Sequence, residues 1–154
     1  MRQMNIKKIF QVISYLQYPL MLLALFFSIK PYLNGMDYIS ENLDAVLKDY
    51  SYVLIFMGLG ISFSTLQDTT KTQNNFSKKI WEDPKKGKKM ILLISFLTIA
   101  TLSYGIFGYF ISDNEKVKEL SFGAIVLSIG FIGFLKTALE VFNNHREDKK
   151  SSVN

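Results

Sequence analysis

Six lysines between positions 78 and 89, gathered around one tryptophan, are the residues of this chain best placed to do chemistry, and that chemistry is electrostatic. Lys78, Lys79, Lys85, Lys86, Lys88 and Lys89 surround Phe76, Ile80 and Trp81, with only Glu82 and Asp83 as acids among them. Ammonium groups at this density attract anions, and each lysine near an anionic lipid surface contributes about 1 kcal/mol. The Trp81 ring suits headgroup depth, where an apolar body and a polar edge are both satisfied. Two readings stay open. One is a topology-setting segment that lies on anionic lipids of the cytoplasmic leaflet. The other is a docking site for an acidic partner. Nucleic acid is not expected, because the patch is short and anionic lipid already lies beside it.

Other chemically suggestive stretches carry less. Gly58-Leu59-Gly60 opens like a glycine-rich nucleotide motif but follows no strand and falls inside an apolar run. Gly87-Lys88-Lys89 lacks the second glycine and the hydroxyl of a phosphate loop, and Asn75-Phe76-Ser77 is a glycosylation acceptor in a segment expected in the cytoplasm. There are no cysteines, which removes thiolate metal sites, disulfides and cysteine nucleophiles. The single histidine, His145, stands in the polar tail, so no bis-histidine haem is expected. No paired carboxylates or Ser–His set suggest hydrolysis. The expectation is no catalytic residue, no cofactor and no metal.

The elements that must position the lysines are four apolar runs, near residues 13–33, 50–66, 90–111 and 120–142, which take up about half of the 154 residues. A bilayer core needs roughly 20 mostly apolar residues per spanning helix. The chain therefore reads as one all-α, four-span membrane domain with no separate soluble domain. The basic start (Arg2, Lys7, Lys8) imitates a signal peptide. Its apolar stretch is long, however, and ends in Lys30-Pro31-Tyr32 instead of a small-residue cleavage site, so an uncleaved first span is expected. Pro19 should bend this span or mark its true start. The second helix is expected to continue past Leu66 through Lys71, giving a span of about 50–70. The fourth should run on past Leu135, with Lys136 and Glu140 paired four residues apart.

Charge sets the orientation. Arg2, Lys7 and Lys8, the loop at 67–89 and the tail with Arg146, Lys149 and Lys150 are basic, while the connections at 30–49 and 112–119 lean acidic. Basic short loops stay in the cytoplasm, so both termini are expected there. Met36 to Asp49, with Ile39, Leu43, Val46 and Leu47 at helical spacing, reads as an amphipathic helix on the outer surface. The wealth of Lys, Asn, Ile and Phe points to an AT-rich bacterial genome, hence a bacterial inner membrane.

Small-residue stripes mark where helices meet, since membrane helices associate through close packing and interhelical hydrogen bonds. The second span carries Ser51, Gly58, Ser62 and Thr65. The third carries Thr98, Thr101, Gly105 and Gly108. The fourth carries Gly123, Gly130, Gly133 and Thr137. They either meet inside a four-helix bundle or serve a partner or a narrow pore. Sliding the chain by 70 residues superposes Leu22 on Leu92, Phe26 on Phe96, Gly35 on Gly105, Ser51 on Ser121 and Gly60 on Gly130, as a duplicated two-helix unit would.

No Asp, Glu, Arg or His falls in the middle of any run, and an embedded ionisable group is the usual mark of transport. The small four-helix drug exporters are similar to this chain only in length and helix count, since their embedded first-span glutamate has no counterpart here. The leading functional expectation is a non-catalytic accessory subunit of a membrane complex, in contact with anionic lipids and with other membrane subunits or copies of itself. A homo-oligomeric pore or membrane-disrupting effector is the alternative, and a small transporter or lipid-handling protein ranks below it.

Overall fold

A computed structural model of the chain describes residues 6–70 and 75–150, and at Phe76, Lys149 and Lys150 the backbone alone. The readings above that involve Arg2, Lys71 and the Phe76 side chain lie outside the described residues. The elements are α1 (Ile6–Ser14), α2 (Gln17–Leu33), α3 (Met36–Glu41), α4 (Leu43–Ser64), α5 (Asn75–Glu82), α6 (Pro84–Ile111), α7 (Glu115–His145) and α8 (Glu147–Lys150). Four stretches are long and apolar enough to cross a membrane: Ile6–Leu33, Leu43–Ser64, Pro84–Ile111 and Glu115–His145.

The first of these is broken. Tyr15 and Leu16 form a turn between α1 and α2, and Pro19 sits in the first turn of α2. A proline ring clashes with the carbonyl four residues back, here that of Tyr15. Pro19 thus marks the true start of the long helix.

The outer amphipathic helix expected over 36–49 is absent as a unit. Asn42 (φ −124°, ψ 47°) interrupts it, and its side-chain amide donates to the Tyr38 carbonyl. α3 is only a short helix, and Leu43 to Asp49 form the first turns of α4, with Val46 and Asp49 buried. Of the face expected on lipid, Val46 packs inside, Ile39 and Leu47 are half-buried and Leu43 stays exposed.

At its other end α4 stops at Ser64, short of the expected residue 70. Ser62, Ser64 and Thr65 donate their hydroxyls to the carbonyls of Gly58, Ile61 and Ser62. Such bonds draw carbonyls away from the helical ladder and favour an end. Asp68 then accepts from both the amide and the hydroxyl of Thr70 at 3.0 and 2.7 Å, forming a turn.

α6 and α7 begin earlier than their apolar runs because each has a built cap. Asp83 accepts from the amides of Lys85 and Lys86, with Pro84 at the first helical position. Asn114 accepts from Lys116 and Val117. With 28 and 31 residues these helices reach about 42 and 46 Å at 1.5 Å per residue. That exceeds the roughly 30 Å of a hydrocarbon core.

The long helices pack in the spatial order α2, α4, α7, α6. α2 runs antiparallel to α4, placing Met21 on Gly60 and Phe27 on Tyr52 and Phe56. α4 and α7 run parallel, since Ser51, Gly58 and Thr65 meet Gly123, Gly130 and Gly133 in turn. α6 is antiparallel to α7, with Gly87 on Phe142 and Gly105 on Ser121 and Ile125.

Candidate functional site

The stripes lie in these contacts. A Cβ built on Gly58 would fall 2.6 Å from the Val126 carbonyl oxygen, and one on Gly130 would fall 2.5 Å from that of Gly58. A Cβ on Gly123 would come within 2.8 Å of the Ser51 carbonyl. The buried Ser51 hydroxyl crosses to the Glu119 carbonyl at 2.7 Å, and Thr137 reaches the Thr65 carbonyl at 3.5 Å. Gly133 lies against the Thr65 side chain.

On the α6 side, Gly105 and Gly108 receive Ser121. Ser121 Oγ is the one buried side-chain polar atom among the described residues without a hydrogen-bond partner. It sits where Gly108 would carry a side chain, which suits a weak contact to the glycine Cα–H. Buried Thr98 and half-buried Ser62 bond back to their own helices, and Thr101 is half-buried.

At the end of the bundle where α2 meets the start of α4, the structure reveals a pair that sequence reasoning missed. Asp49 is 4% exposed and sits 2.7 Å from Lys30 Nζ across the α2–α4 contact. Lys30 also lies 5.6 Å from the Phe27 ring centre, and the Tyr32 and Tyr50 hydroxyls meet at 3.1 Å one step away. The sequence pattern places Asp49 at the end of a surface amphipathic helix, just before an apolar run. The usable signal was that Lys30 and Asp49 end two spans joined by a short connection.

The opposite end carries the lysines. Lys78, Lys79, Lys85, Lys86, Lys88 and Lys89 are all exposed. Trp81 is not at the surface, contrary to its expected place among headgroups. It is 8% exposed and packs with Ile94, Ala138 and Phe142, with Ile80, Met90 and Val141 around them. The reason is geometric. Gly87 has no side chain where one edge of the Phe142 ring lies against α6, and Trp81 on α5 packs into the same cluster beside α6 and α7. The Arg146 guanidinium lies over the Phe142 ring, 5.2 Å from its centre, and pairs with Asp148. Arg146 in turn holds the Asp148 carboxyl below its usual range. The Asp83 carboxyl is lowered too, chiefly by the Lys86 amide and then by the Lys86 ammonium at 3.1 Å. Lys136 and Glu140 pair at 3.7 Å, and His145 closes α7 with a ring nitrogen 2.9 Å from the Val141 carbonyl.

Two adjoining hollows open at this end. A cavity of about 360 Å³ has walls of Ile80, Trp81, Met90 and Phe134 and a polar side that includes Gln17 and Gln67. An open crevice of about 600 Å³ is lined by Lys7, Lys8, Gln11, Tyr15, Tyr18, Gln67 and Asp68. Gln67 and Asp68 border both. No His, Asp and Glu group that could hold a metal occurs among the described residues. Comparison of the chain with family models, characterised proteins and solved structures gives no match.

Proposed function

We propose that this chain is a non-catalytic multi-pass membrane protein that serves as an accessory subunit of a membrane complex in a bacterial inner membrane. Its four spans anchor a basic face that a partner's acidic surface engages from the cytoplasm. The observation that carries this reading is the packed mounting beneath the lysines. A segment that only rests on fluid headgroups gains nothing from a fixed geometry. Here α5 and the start of α6 are fixed to α7 through Trp81, Gly87 and Phe142 while six ammonium groups point outward. Preorganisation of this kind lowers the ordering cost of binding a partner of defined shape.

Support for the orientation comes from charge. Among the described residues, seven acids and four lysines lie toward the Lys30–Asp49 end, against twelve basic and six acidic residues at the other. The stripes that motivate a pore are occupied by packing within the chain, so that reading loses its main feature. The duplication remains part of the proposal: the α4–α7 contacts Ser51–Gly123, Gly58–Gly130 and Thr65–Thr137 share one register, close to the 70-residue offset of the sequence.

The test is extraction from the native membrane in mild detergent, with and without Lys→Gln changes at 78, 79, 85, 86, 88 and 89. A stoichiometric partner lost only in the variant is the expected result. A homogeneous self-assembly without a second protein would refute the subunit role. Because the chain has no cysteine, single cysteines at 85 and 113 report orientation. Labelling of position 85 from outside intact cells would invert the topology.

A further inference from the structure

The crevice beside α1 has a chemistry distinct from that of the lysine loop. We infer that it holds the headgroup of one anionic phospholipid whose phosphate is a monoanionic diester and whose alcohol carries hydroxyls, of the phosphatidylglycerol type. Lys7 and Lys8, both exposed on α1, supply the positive charge. Tyr15 and Tyr18, stacked with ring centres 6.2 Å apart at the α1–α2 break, give the crevice the aromatic rim typical of headgroup depth. α1 places Ile6, Phe10 and Val12 on its exposed surface, as a helix lying in the interface does.

Asp68 decides which anion fits. It stands in the crevice with one carboxylate oxygen held by Thr70, and its amide donates to Gln11 Oε1 at 3.4 Å. A fixed carboxylate beside two lysines disfavours a dianionic headgroup. It accepts hydrogen bonds from a headgroup that brings hydroxyls. Gln11 and Gln67 add amides that suit the same polyol. The volume of about 600 Å³ lies within the roughly 300–1,000 Å³ of small-molecule sites. This lipid site does not depend on whether a protein partner binds the loop.

The experiment is native mass spectrometry of the full-length protein in dodecyl maltoside, titrated separately with phosphatidylglycerol, phosphatidic acid and phosphatidylcholine. One phosphatidylglycerol retained per chain is expected, ahead of phosphatidic acid and then phosphatidylcholine. Lys7→Gln with Lys8→Gln should weaken retention roughly 30-fold, from about 1 kcal/mol per lysine. Lys85→Gln, Lys86→Gln and Lys88→Gln together should leave it unchanged. Asp68→Asn should narrow the preference over phosphatidic acid. Trp81 emission reports whether each variant is folded, and the lipid ranking on the unaltered protein stands without any variant. Phosphatidic acid binding as well as phosphatidylglycerol would overturn the inference. So would equal sensitivity to the loop lysines, or displacement of the lipid by millimolar glycerol phosphate, which would make the ligand a soluble anion.

Discussion

Gly58 and Gly130 face each other backbone to backbone across the α4–α7 contact, with no room for a side chain on either. Ser51 above and Thr65 below close the same seam with hydrogen bonds to α7 and from it. In a membrane such close approach replaces the hydrophobic effect as the force that holds helices together.

Gly58→Ala and Gly130→Ala should each destabilise the fold, because the obstacle is backbone that cannot move aside. Overpacking of a tight core typically costs about 1–3 kcal/mol, and leucine should cost more. Gly35 has open space around a positive φ of 91°, so Gly35→Ala tests local strain alone. Unfolding titrations in mixed micelles would measure all of these. Equal effects at Gly58 and Gly35 would contradict a packing role for the seam.

The Lys30–Asp49 pair ties α2, which has few other polar links, to α4. Removing one partner of a buried pair costs about 3–5 kcal/mol. Lys30 keeps 43% of its side chain exposed, so screening should reduce this to roughly 1–2 kcal/mol. Asp49→Asn and Lys30→Met should each destabilise, and the double variant should recover part of the loss. A double-mutant cycle with no coupling would deny the pair any energetic role.

Asp83 ties the start of α6 to pH. Its folded pKa lies below the ordinary carboxylate value because two amides and the Lys86 ammonium favour the charged form. Its stabilisation is therefore complete above the unfolded value of about 4 and is lost as pH falls through the lower folded value. The protection of amides across residues 85–90, taken relative to their intrinsic exchange rate at each pH, should fall below about pH 4. Asp83→Ala should show severalfold faster exchange already at neutral pH. Exchange in the variant that matches the unaltered protein would show that the cap contributes nothing.

Trp81 is the only tryptophan, so its emission reads one place. Burial against Phe142 and Ile94 calls for a blue-shifted spectrum that resists a water-soluble quencher. Trp81→Ala should cost about 3–5 kcal/mol, as large aromatic deletions from cores do. A red-shifted, readily quenched emission would return Trp81 to the lipid interface.

The four spans were legible because twenty apolar residues have few other uses, and the stripes were legible because glycine and serine recur at helical spacing. What the stripes would touch was not legible, since Gly58 carries no mark of Gly130. Asp49 was misread because hydropathy treats a charge as a helix end, whereas a partner 19 residues away let it stay inside. Trp81 was assigned to the interface on its average behaviour, and its sequence neighbours carry no mark of Ile94, Ala138 and Phe142, against which it packs. The end of α4 depended on hydroxyls bonding back to carbonyls, a competition that apolar periodicity does not register.

The parallel pairing of α4 and α7 also sets an order of events during synthesis. The glycine face of α4 leaves the ribosome long before its partner, because Gly130 follows Gly58 by 72 residues, the separation of the bonded Thr65 and Thr137. At about 5–20 residues per second that interval is roughly 4–14 s. Through it the glycine face of α4 lacks its partner, and the α4–α7 seam forms only once α7 has followed.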